Sequence, residues 1–228
     1  MNDENKNNNN DKRKDEIEEI KEMGSLTSFE GEHKIHCLTI IGEIEGHNVL
    51  PEQNKSTKYE HIIPQLVAVE QSPEIEGLLI ILNTVGGDVE AGLAIAELIS
   101  GMKKPTVSFV LGGGHSIGVP LAVSAKKSYI APSATMTIHP VRTNGLVIGV
   151  PQMMNHFARM QTRITDFVVN NSGITSEKFT ELMMNTKEMV TDVGSVLSGD
   201  RAVEVGLIDA IGSLSVVLEG LYQLIENN

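Results

Sequence analysis

The sequence predicts an α/β domain in which buried parallel strands alternate with helices. Continuous apolar runs of strand length lie at Gly77–Asn83 and Thr106–Leu111, and such runs are typical of strands covered on both faces of a parallel sheet. Each run leads into a glycine turn, and a segment with helical spacing of apolar residues follows each turn. This alternation predicts right-handed strand–helix–strand crossovers.

The individual elements are predicted in chain order from apolar spacing and flanking residues. Strands are predicted at Ile35–Glu45, Gly77–Asn83, Thr106–Leu111, Ser128–Ile130 and Ala134–His139. Helices are predicted at Glu60–Gln71, Val89–Gly101, Ile117–Ala125, Gln152–Asn171, Ser176–Asn185, Gly199–Val205 and Leu214–Glu226. Pro140–Pro151 is predicted as a loop or hairpin. Pro64 is expected near the first turn of its helix, and Thr175 or Ser176, together with Ser198, is expected as an N-cap.

Composition bounds the class of protein. The chain has 228 residues, of which 40% are hydrophobic and 4% aromatic, so the core must be largely aliphatic. The formal net charge of −12 argues against binding to duplex nucleic acid, which needs a basic surface. Cys37 is the single cysteine, so no disulfide framework is expected and a reducing, cytoplasmic location fits. We expect no transmembrane segment and no secretory signal, because the sequence has no apolar run of the required kind.

The predicted domain organisation is a leader followed by one domain. Residues 1–28 are predicted to be a disordered polar leader, because Asn7–Asn10 is a homopolymer and the segment 15–22 is mostly charged. A short helix at Ile17–Met23 is the alternative for part of it. Residues 29–228 are predicted to form the folded domain.

Two glycine turns, Gly86–Gly87 and Gly112–Gly118, follow the two buried strands. In an open α/β sheet, ligands bind beyond the carboxyl ends of the strands, and free amides at a following helix start can hold an anion. A phosphate is the less favoured anion, because no lysine stands beside either turn as a P-loop requires. A developing oxyanion is the alternative that the residues in the second turn favour.

Ser116, in the second turn, is the predicted nucleophile, and His139 is its predicted general base. A serine hydroxyl needs a base to remove its proton, and histidine titrates near neutral pH. His139 ends a predicted strand, whereas His115 adjoins Ser116 and should point elsewhere. The structural alternatives are an N-cap role for Ser116 and a hydrogen-bonded strand-end role for His139. The stretch also fits the Gly-x-Ser-x-Gly elbow of α/β-hydrolases, but the order of triad residues does not suit that fold.

At these residues the chain resembles the proteolytic subunit of the Clp protease, ClpP, within the ClpP/crotonase superfamily. The family's Asn-Ser-Pro-Gly-Gly turn is present as Asn83-Thr84-Val85-Gly86-Gly87, its Ala-Ser-Met-Gly site as His115-Ser116-Ile117-Gly118, its Ile-His-Gln-Pro site as Ile138-His139-Pro140 and its Gly-Leu-Ile-Asp as Gly206-Leu207-Ile208-Asp209. The resemblance is collinear from about His36 to the C-terminus. The variants of these motifs are most similar to the ClpP-like subgroup of translocation-enhancing proteins.

The resemblance implies a fold, a site and a function. The fold is a repeated β-β-α spiral with a protruding handle helix within about residues 140–172. The implied nucleophile is Ser116, the base His139, and the oxyanion hole is formed by the amides of Gly87 and Ile117. The implied activity is that of a serine endopeptidase cleaving unfolded polypeptides or peptides in a homo-oligomeric ring, without a cofactor of its own. An ATPase or the secretion machinery is the partner class that the resemblance suggests.

The chain departs from the family at the third member of the catalytic triad. When the chain is aligned on Leu197–Ser198, Gly194 stands where the family has its aspartate, and Asp192 is the nearest carboxylate. Either Asp192 replaces the acid after a backbone shift, or the site is a Ser–His dyad with a weaker orienting partner. A solvated loop acid is the structural alternative for Asp192. Asp209 is expected to support the fold.

Four functions are compatible with these features. The first is an active ClpP-like serine endopeptidase, linked to protein export or processing. The second is a catalytically weak or inactive peptide-binding scaffold that assists protein translocation, which the missing aspartate favours. A crotonase-type acyl-CoA enzyme would use the same oxyanion turns, but the pair Ser116 and His139 opposes it. A Ser–Lys peptidase would need Lys126 or Lys127, which are expected in a surface turn.

Overall fold

The computed structural model describes residues 25–28, 31–142, 149–188 and 193–228. The strands in these ranges are β1 (Ser25–Ser28), β2 (Ile35–Glu45), β3 (Ser56–Lys58), β4 (Gly77–Gly87), β5 (Thr106–His115), β6 (Lys127–Ile130), β7 (Thr135–Ile138), β8 (Ser195–Ser198) and β9 (Ala210–Ile211). The helices are α1 (Tyr59–Gln71), α2 (Val89–Ser100), α3 (Gly118–Val123), α4 (Val150–Asn170), α5 (Ser176–Met183), α6 (Gly199–Glu204) and α7 (Leu214–Glu226).

A mostly parallel sheet forms the centre of the molecule. Its strand order is β1-β2-β4-β5-β6-β9, with β3 added beside β2 and with β7 and β8 added beyond β5. All neighbouring pairs along this order are parallel except β1 with β2, and β7 with β8 is also antiparallel. The carboxyl ends of β2, β4 and β5 therefore lie at one edge of the sheet, and β4 and β5 carry their glycines to that edge.

Strand β5 pairs with different strands along its length, and the register of β2 and β4 is interrupted. The first half of β5 pairs with β6 through Val107–Val110, and its last residues, Gly113–His115, pair with β7. Register shifts of the β-bulge type interrupt β2 after Gly42 and β4 after Leu82. This arrangement matches the spiral that the family resemblance implies, and the predicted α/β class is confirmed.

The helices bury apolar faces against the sheet, with one exception. Every residue of α3 is buried, and α2 buries six of its residues. In contrast, no residue of α4 from Val150 to Ile164 is buried, whereas Thr165, Phe167 and Val168 are. The first part of α4 therefore projects from the domain, as expected of a handle helix. None of the described helices has the length and hydropathy needed to cross a membrane.

The structure differs from the predicted elements in several places. Strand β4 was predicted to end at Asn83 but runs on through Gly86 and Gly87, which pair with Glu43 and Ile44 of β2 and therefore do not form a turn after it. Strand β5 likewise runs on through the glycines to His115, and α3 is only six residues long. Pro64 lies inside α1 rather than in its first turn. Four strands, β1, β3, β8 and β9, were not predicted, because each has at most four residues and is stabilised by pairing rather than by an apolar run.

Strand β1 also falls inside the segment predicted to be a leader. Its residues pair antiparallel with Ile35–Leu38 of β2, so backbone hydrogen bonding orders a segment that has little apolar surface. The remainder of the predicted leader, residues 1–24, lies outside the described residues.

Candidate active site

Ser116 occupies a sharp turn between β5 and α3. Its φ of 58° is the only positive φ of a non-glycine residue in the described ranges, a conformation that costs an L-residue about 1–2 kcal/mol. The N-cap of α3 is Ile117, and no side chain caps the helix. The N-cap alternative for Ser116 is therefore wrong, and the backbone strain is of the kind that collects at functional sites.

The backbone N–H and carbonyl of Ser116 are both hydrogen-bonded, whereas its hydroxyl is not, within the described residues. Its N–H donates to the carbonyl of Thr137 on β7 (2.9 Å), and its carbonyl accepts from the N–H of Val119 in α3 (3.0 Å). Within the described ranges no hydrogen bond engages Ser116 Oγ. The side chain is therefore held at a defined place and is available to a substrate.

Gly86, near the end of β4, lies directly against the Ser116 side chain. A Cβ atom on Gly86 would be 2.6 Å from Ser116 Cβ and 3.1 Å from Oγ. The φ of Gly86 is 97°, which side chains rarely adopt. The end of β4 and the turn after β5 thus meet at Ser116.

His139 follows β7 and carries a defined tautomer. Its Nδ1 lies 2.7 Å from the carbonyl oxygen of Pro140. A carbonyl only accepts, so Nδ1–H is the donor and the neutral ring presents its lone pair at Nε2. No hydrogen bond joins His139 to Ser116 within the described residues, and catalytic hydrogen bonds are often long in an enzyme without substrate.

One cavity of about 260 Å³ brings the predicted site residues together. Ser116, His139, Gly87 and Ile117 all line it. Asp192, the fifth predicted residue, lies outside the described residues. The complete lining is Val85, Gly87, Val89, Ser116, Ile117, Val119, Ile138, His139, Pro140, Val141, Arg142, Gln161, Ile164 and Phe179.

The helices α4 and α5 provide part of the cavity wall that sequence reasoning missed. Ile164 of α4 and Phe179 of α5 supply apolar surface, and Gln161 Oε1 accepts a hydrogen bond from the N–H of Val141 (2.8 Å). This bond ties the segment after His139 to α4. In the sequence, Ile164 and Phe179 belong to ordinary amphipathic stripes and cannot be told from core residues, and Gln161 gives no signal.

A backbone amide without an acceptor lies beside Ser116. The N–H of Ile117 has no acceptor within the described part of the chain, and it belongs to a residue that lines the cavity beside Ser116. A preorganised backbone donor next to a hydroxyl is of the kind that stabilises an oxyanion in acyl transfer. Gly87, the last residue of β4, lines the same cavity.

Gly194 lies beside His139, at the position where the family carries its acid. A Cβ on Gly194 would be 2.9 Å from His139 Cβ and would overlap the carbonyl of Ile138. The φ of Gly194 is 141°, and its N–H donates to the carbonyl of Asn185 (2.7 Å). This backbone leaves no room for a side chain at position 194. Within the described residues, the partner that orients the His139 ring is therefore the Pro140 carbonyl.

The other predicted candidates lie away from the cavity. Lys127 pairs with Val107 near the start of β5, and Lys126 hydrogen-bonds to the carbonyl of Lys103. At about 3.3 Å per strand residue, both lysines are far from Ser116, which argues against a Ser–Lys site. Asp209 accepts from Ser128 N (2.7 Å) and Ser128 Oγ (2.9 Å), which fits the structural role expected of it.

In the ranges that the structure describes, no set of three or more histidine, cysteine, aspartate or glutamate side chains is placed to hold a metal ion.

The chain matches a known protein family over most of its length. The family model for Clp protease matches residues 32–214. The chain is 58% identical over 211 residues to the Translocation-enhancing protein TepA of Halalkalibacterium halodurans, which covers 92% of this chain and 82% of that protein. It is 26% identical to ATP-dependent Clp protease proteolytic subunit 1 of Chlamydia muridarum, over 65% of this chain and 77% of that protein.

A further relative gives the same result. The chain is 27% identical over 157 residues to the ATP-dependent Clp protease proteolytic subunit of Streptococcus sanguinis, which covers 66% of this chain and 76% of that protein. The resemblance predicted from the short motifs is confirmed by these matches, which extend over most of the described domain. The chain belongs to the Clp protease family.

Proposed function

We propose that this protein is a serine endopeptidase in which Ser116 is the nucleophile and His139 the general base. The observation that carries the proposal is that both residues line one cavity, with the His139 tautomer fixed so that Nε2 can accept a proton. The strained turn at Ser116 and its unengaged hydroxyl support the same assignment.

The chemistry follows from the positions of these groups. His139 Nε2 takes the proton from Ser116 Oγ as the oxygen attacks the carbonyl carbon of the scissile peptide bond. The amides of Gly87 and Ile117 donate to the oxyanion that forms. The imidazolium then gives its proton to the leaving amine, and the acyl-enzyme remains on Ser116. A water molecule, deprotonated by His139, hydrolyses this ester and restores the serine.

The orienting partner of His139 is weaker than in a complete triad. A neutral carbonyl, that of Pro140, accepts from Nδ1–H and stabilises the imidazolium less than a carboxylate would. Loss of the carboxylate in a triad costs on the order of 10⁴ in rate. We therefore propose a slow Ser–His dyad, with Asp192 as the residue to be tested for an additional role.

The substrate class follows from the cavity and the family. The walls formed by Val85, Ile138, Ile164 and Phe179 suit an apolar side chain of an extended polypeptide. An unfolded polypeptide or peptide is the proposed substrate, cleaved within a homo-oligomeric ring in the cytoplasm. The relative named as translocation-enhancing supports a link to protein export, with a secretion component or an ATPase as the partner.

A second candidate function is a weakly active or inactive peptide-binding scaffold that assists translocation. The observation that favours it is Gly194, whose backbone leaves no space for the acid beside His139. In this case the cavity would bind peptides without cleaving them.

The deciding experiment is covalent labelling with a fluorophosphonate, followed by mapping of the adduct. The wild-type protein should be labelled on Ser116, Ser116→Ala should not be labelled, and Ser133→Ala, which removes an exposed serine outside the cavity, should label like wild type. Asp192→Ala should retain labelling if the site is a dyad. Absence of labelling in a well-assembled wild-type protein that still binds an unfolded polypeptide would overturn the peptidase and favour the scaffold.

A further inference from the structure

His115 and Thr137, which lie outside the cavity lining, are joined by a hydrogen bond of 2.8 Å between Nδ1 and Oγ1. We propose that this pair is a positioning device that sets the Ser116 turn against the strand carrying His139. The proposal rests on the proposed function for its catalytic consequence, but the fixing of the turn can be measured separately. Neither residue belongs to the nucleophile, base or oxyanion assignments.

Thr137 holds the end of β5 at two successive residues. Its carbonyl accepts from the Ser116 N–H (2.9 Å), and its hydroxyl is bonded to the ring of His115. His115 and Thr137 are also direct partners in the parallel register of β5 and β7. One residue of β7 thus binds both the backbone of the nucleophile and the side chain of the residue before it.

The glycine run before Ser116 makes room for this contact. A Cβ on Gly113 would lie 2.5 Å from His115 Nε2 and 2.7 Å from Cδ2. The imidazole therefore lies directly over the Gly113 backbone, and any other residue at 113 would displace it. The histidine and the glycine form one packed unit, which explains why a bulky ring is tolerated immediately before the turn.

The charge state of His115 suits the bond. Burial lowers the pKa of His115 below its usual value, so the ring is neutral at neutral pH. A neutral imidazole nitrogen and a threonine hydroxyl form a hydrogen bond without the cost of burying a charge. The contact is therefore present under the conditions in which His139 must also be neutral to act as a base.

Strand β7 connects this pair to His139, the proposed base, so that a shift of the strand would move the His139 ring. Thr137 lies two residues before His139 in the sequence, and β7 ends at Ile138. If β7 shifts relative to the end of β5, the His139 ring moves relative to Ser116 Oγ. A displacement of about 1 Å can cost roughly 10²-fold in rate. The expected effect is on the acylation step rather than on substrate binding.

The test compares Thr137→Val, which removes the hydroxyl, with Thr137→Ser, which keeps it. The readout is the second-order rate of fluorophosphonate labelling of Ser116, with kcat and KM for an unfolded polypeptide. Thr137→Val should lower the labelling rate and kcat about tenfold with KM little changed, and Thr137→Ser should restore most of the loss. Thr135→Val is the matched control on the same strand. Its side chain has no hydrogen bond within the described residues, and it should label like wild type.

A double variant separates a specific pair from a general loss of packing. His115→Ala should reduce labelling about as much as Thr137→Val, and the two changes together should be no worse than either alone. Additive losses, or labelling of Thr137→Val at the wild-type rate, would overturn the proposal.

Failure of the proposed function gives a different result. If the wild type is not labelled at all, the hydrogen-exchange rate of the Ser116 amide still measures how firmly the pair holds the Ser116 turn. Thr137→Val should raise that exchange rate about tenfold, and Thr137→Ser should not. Unchanged exchange in Thr137→Val would overturn the positioning role whether or not the protein is a peptidase.

Discussion

Gly86, near the end of β4, and Ser116, in the turn after β5, are in direct contact although they are 30 residues apart in the sequence. The Gly86 backbone, at a φ of 97°, closes one side of the space around the Ser116 side chain. A Cβ at position 86 would be 2.6 Å from Ser116 Cβ, well inside normal contact. The end of β4 therefore shapes the surroundings of the serine.

Substitution Gly86→Ala should strongly reduce the reactivity of Ser116. The added methyl group forces Ser116 to move, and alanine at this φ costs about 1–2 kcal/mol. We expect fluorophosphonate labelling to fall by roughly 10²-fold or more, and the free energy of unfolding to fall by about 1–3 kcal/mol. Labelling kinetics and urea denaturation measure the two effects.

Gly31→Ala is the control for this substitution. A Cβ at Gly31 would meet its nearest atom at 3.5 Å, an ordinary contact, and its φ is not positive. Stability and labelling should match the wild type. If Gly86→Ala were labelled at the wild-type rate, the close contact between Gly86 and Ser116 would not be needed for the reactivity of Ser116.

Gly194→Asp should not restore the missing acid. The side chain would overlap the Ile138 carbonyl and would require an L-residue at a φ of 141°. We expect the variant to lose about 1–3 kcal/mol of unfolding free energy and to label no faster than wild type. Gly194→Ala is the matched variant, because alanine adds the same Cβ atom but no carboxylate. A labelling rate for Gly194→Asp well above that of Gly194→Ala would show that this loop can rearrange to supply a carboxylate.

The long elements were predictable because their patterns extend over many residues. Strand β2 and helix α7 have the bounds that their apolar spacing predicts. Strand β5 was predicted to end at Leu111, because the glycines after it carry no apolar pattern. Those glycines continue the strand by pairing with β7, an interaction between distant segments that no local pattern encodes.

The candidate site was predictable only in the part that is formed by side chains. Ser116 and His139 were found from residue type and motif, and they line the same cavity. The acceptor of His139 Nδ1–H is a backbone carbonyl, that of Pro140, and any residue at that position could provide it. The close approach of Gly194 to His139 likewise depends on the path of the chain. Sequence reasoning therefore placed Gly194 at the family's acid position but gave no sign of the Pro140 carbonyl, which is the partner of His139 Nδ1 within the described residues.

Asp209→Asn should destabilise the domain without affecting the cavity. Asp209 Oδ2 accepts from both the N–H and the hydroxyl of Ser128, and its own N–H donates to Ser128 Oγ (3.0 Å). Loss of the carboxylate weakens charge-assisted bonds worth about 1.5–3 kcal/mol, and we expect a loss near the lower limit because Asp209 is exposed. Urea denaturation measures it, and labelling of Ser116 should be unchanged. Asp200→Asn, in the first turn of α6, is the control and should cost no more than about 0.5–1 kcal/mol. Equal stability of the two variants would contradict the structural role.

The buried His36 should make stability depend on pH. His36 is 6% exposed, and its Nδ1 is bonded to Thr27 Oγ1 of β1 (2.8 Å). Burial lowers the pKa of His36 in the folded state, although the neighbouring Gln65 side chain opposes the shift. Above about pH 6.5, the ring is neutral in both states and no penalty applies. As the pH falls below that value, the unfolded chain takes up a proton more readily than the folded one, so stability is lost.

The variant His36→Asn isolates this contribution, because it removes the titrating group while keeping a polar side chain. Urea denaturation of both proteins from pH 7.5 down to pH 5 measures their unfolding free energies. As the pH falls below about 6.5, the wild type should lose more unfolding free energy than His36→Asn. His115 is half-buried and also has a lowered pKa, but it is present in both proteins and its effect cancels in the difference. A difference that stays constant over this range would mean that His36 is as easily protonated in the folded protein as in the unfolded chain. In that case the pairing of β1 with β2 would not exclude a charge at this position.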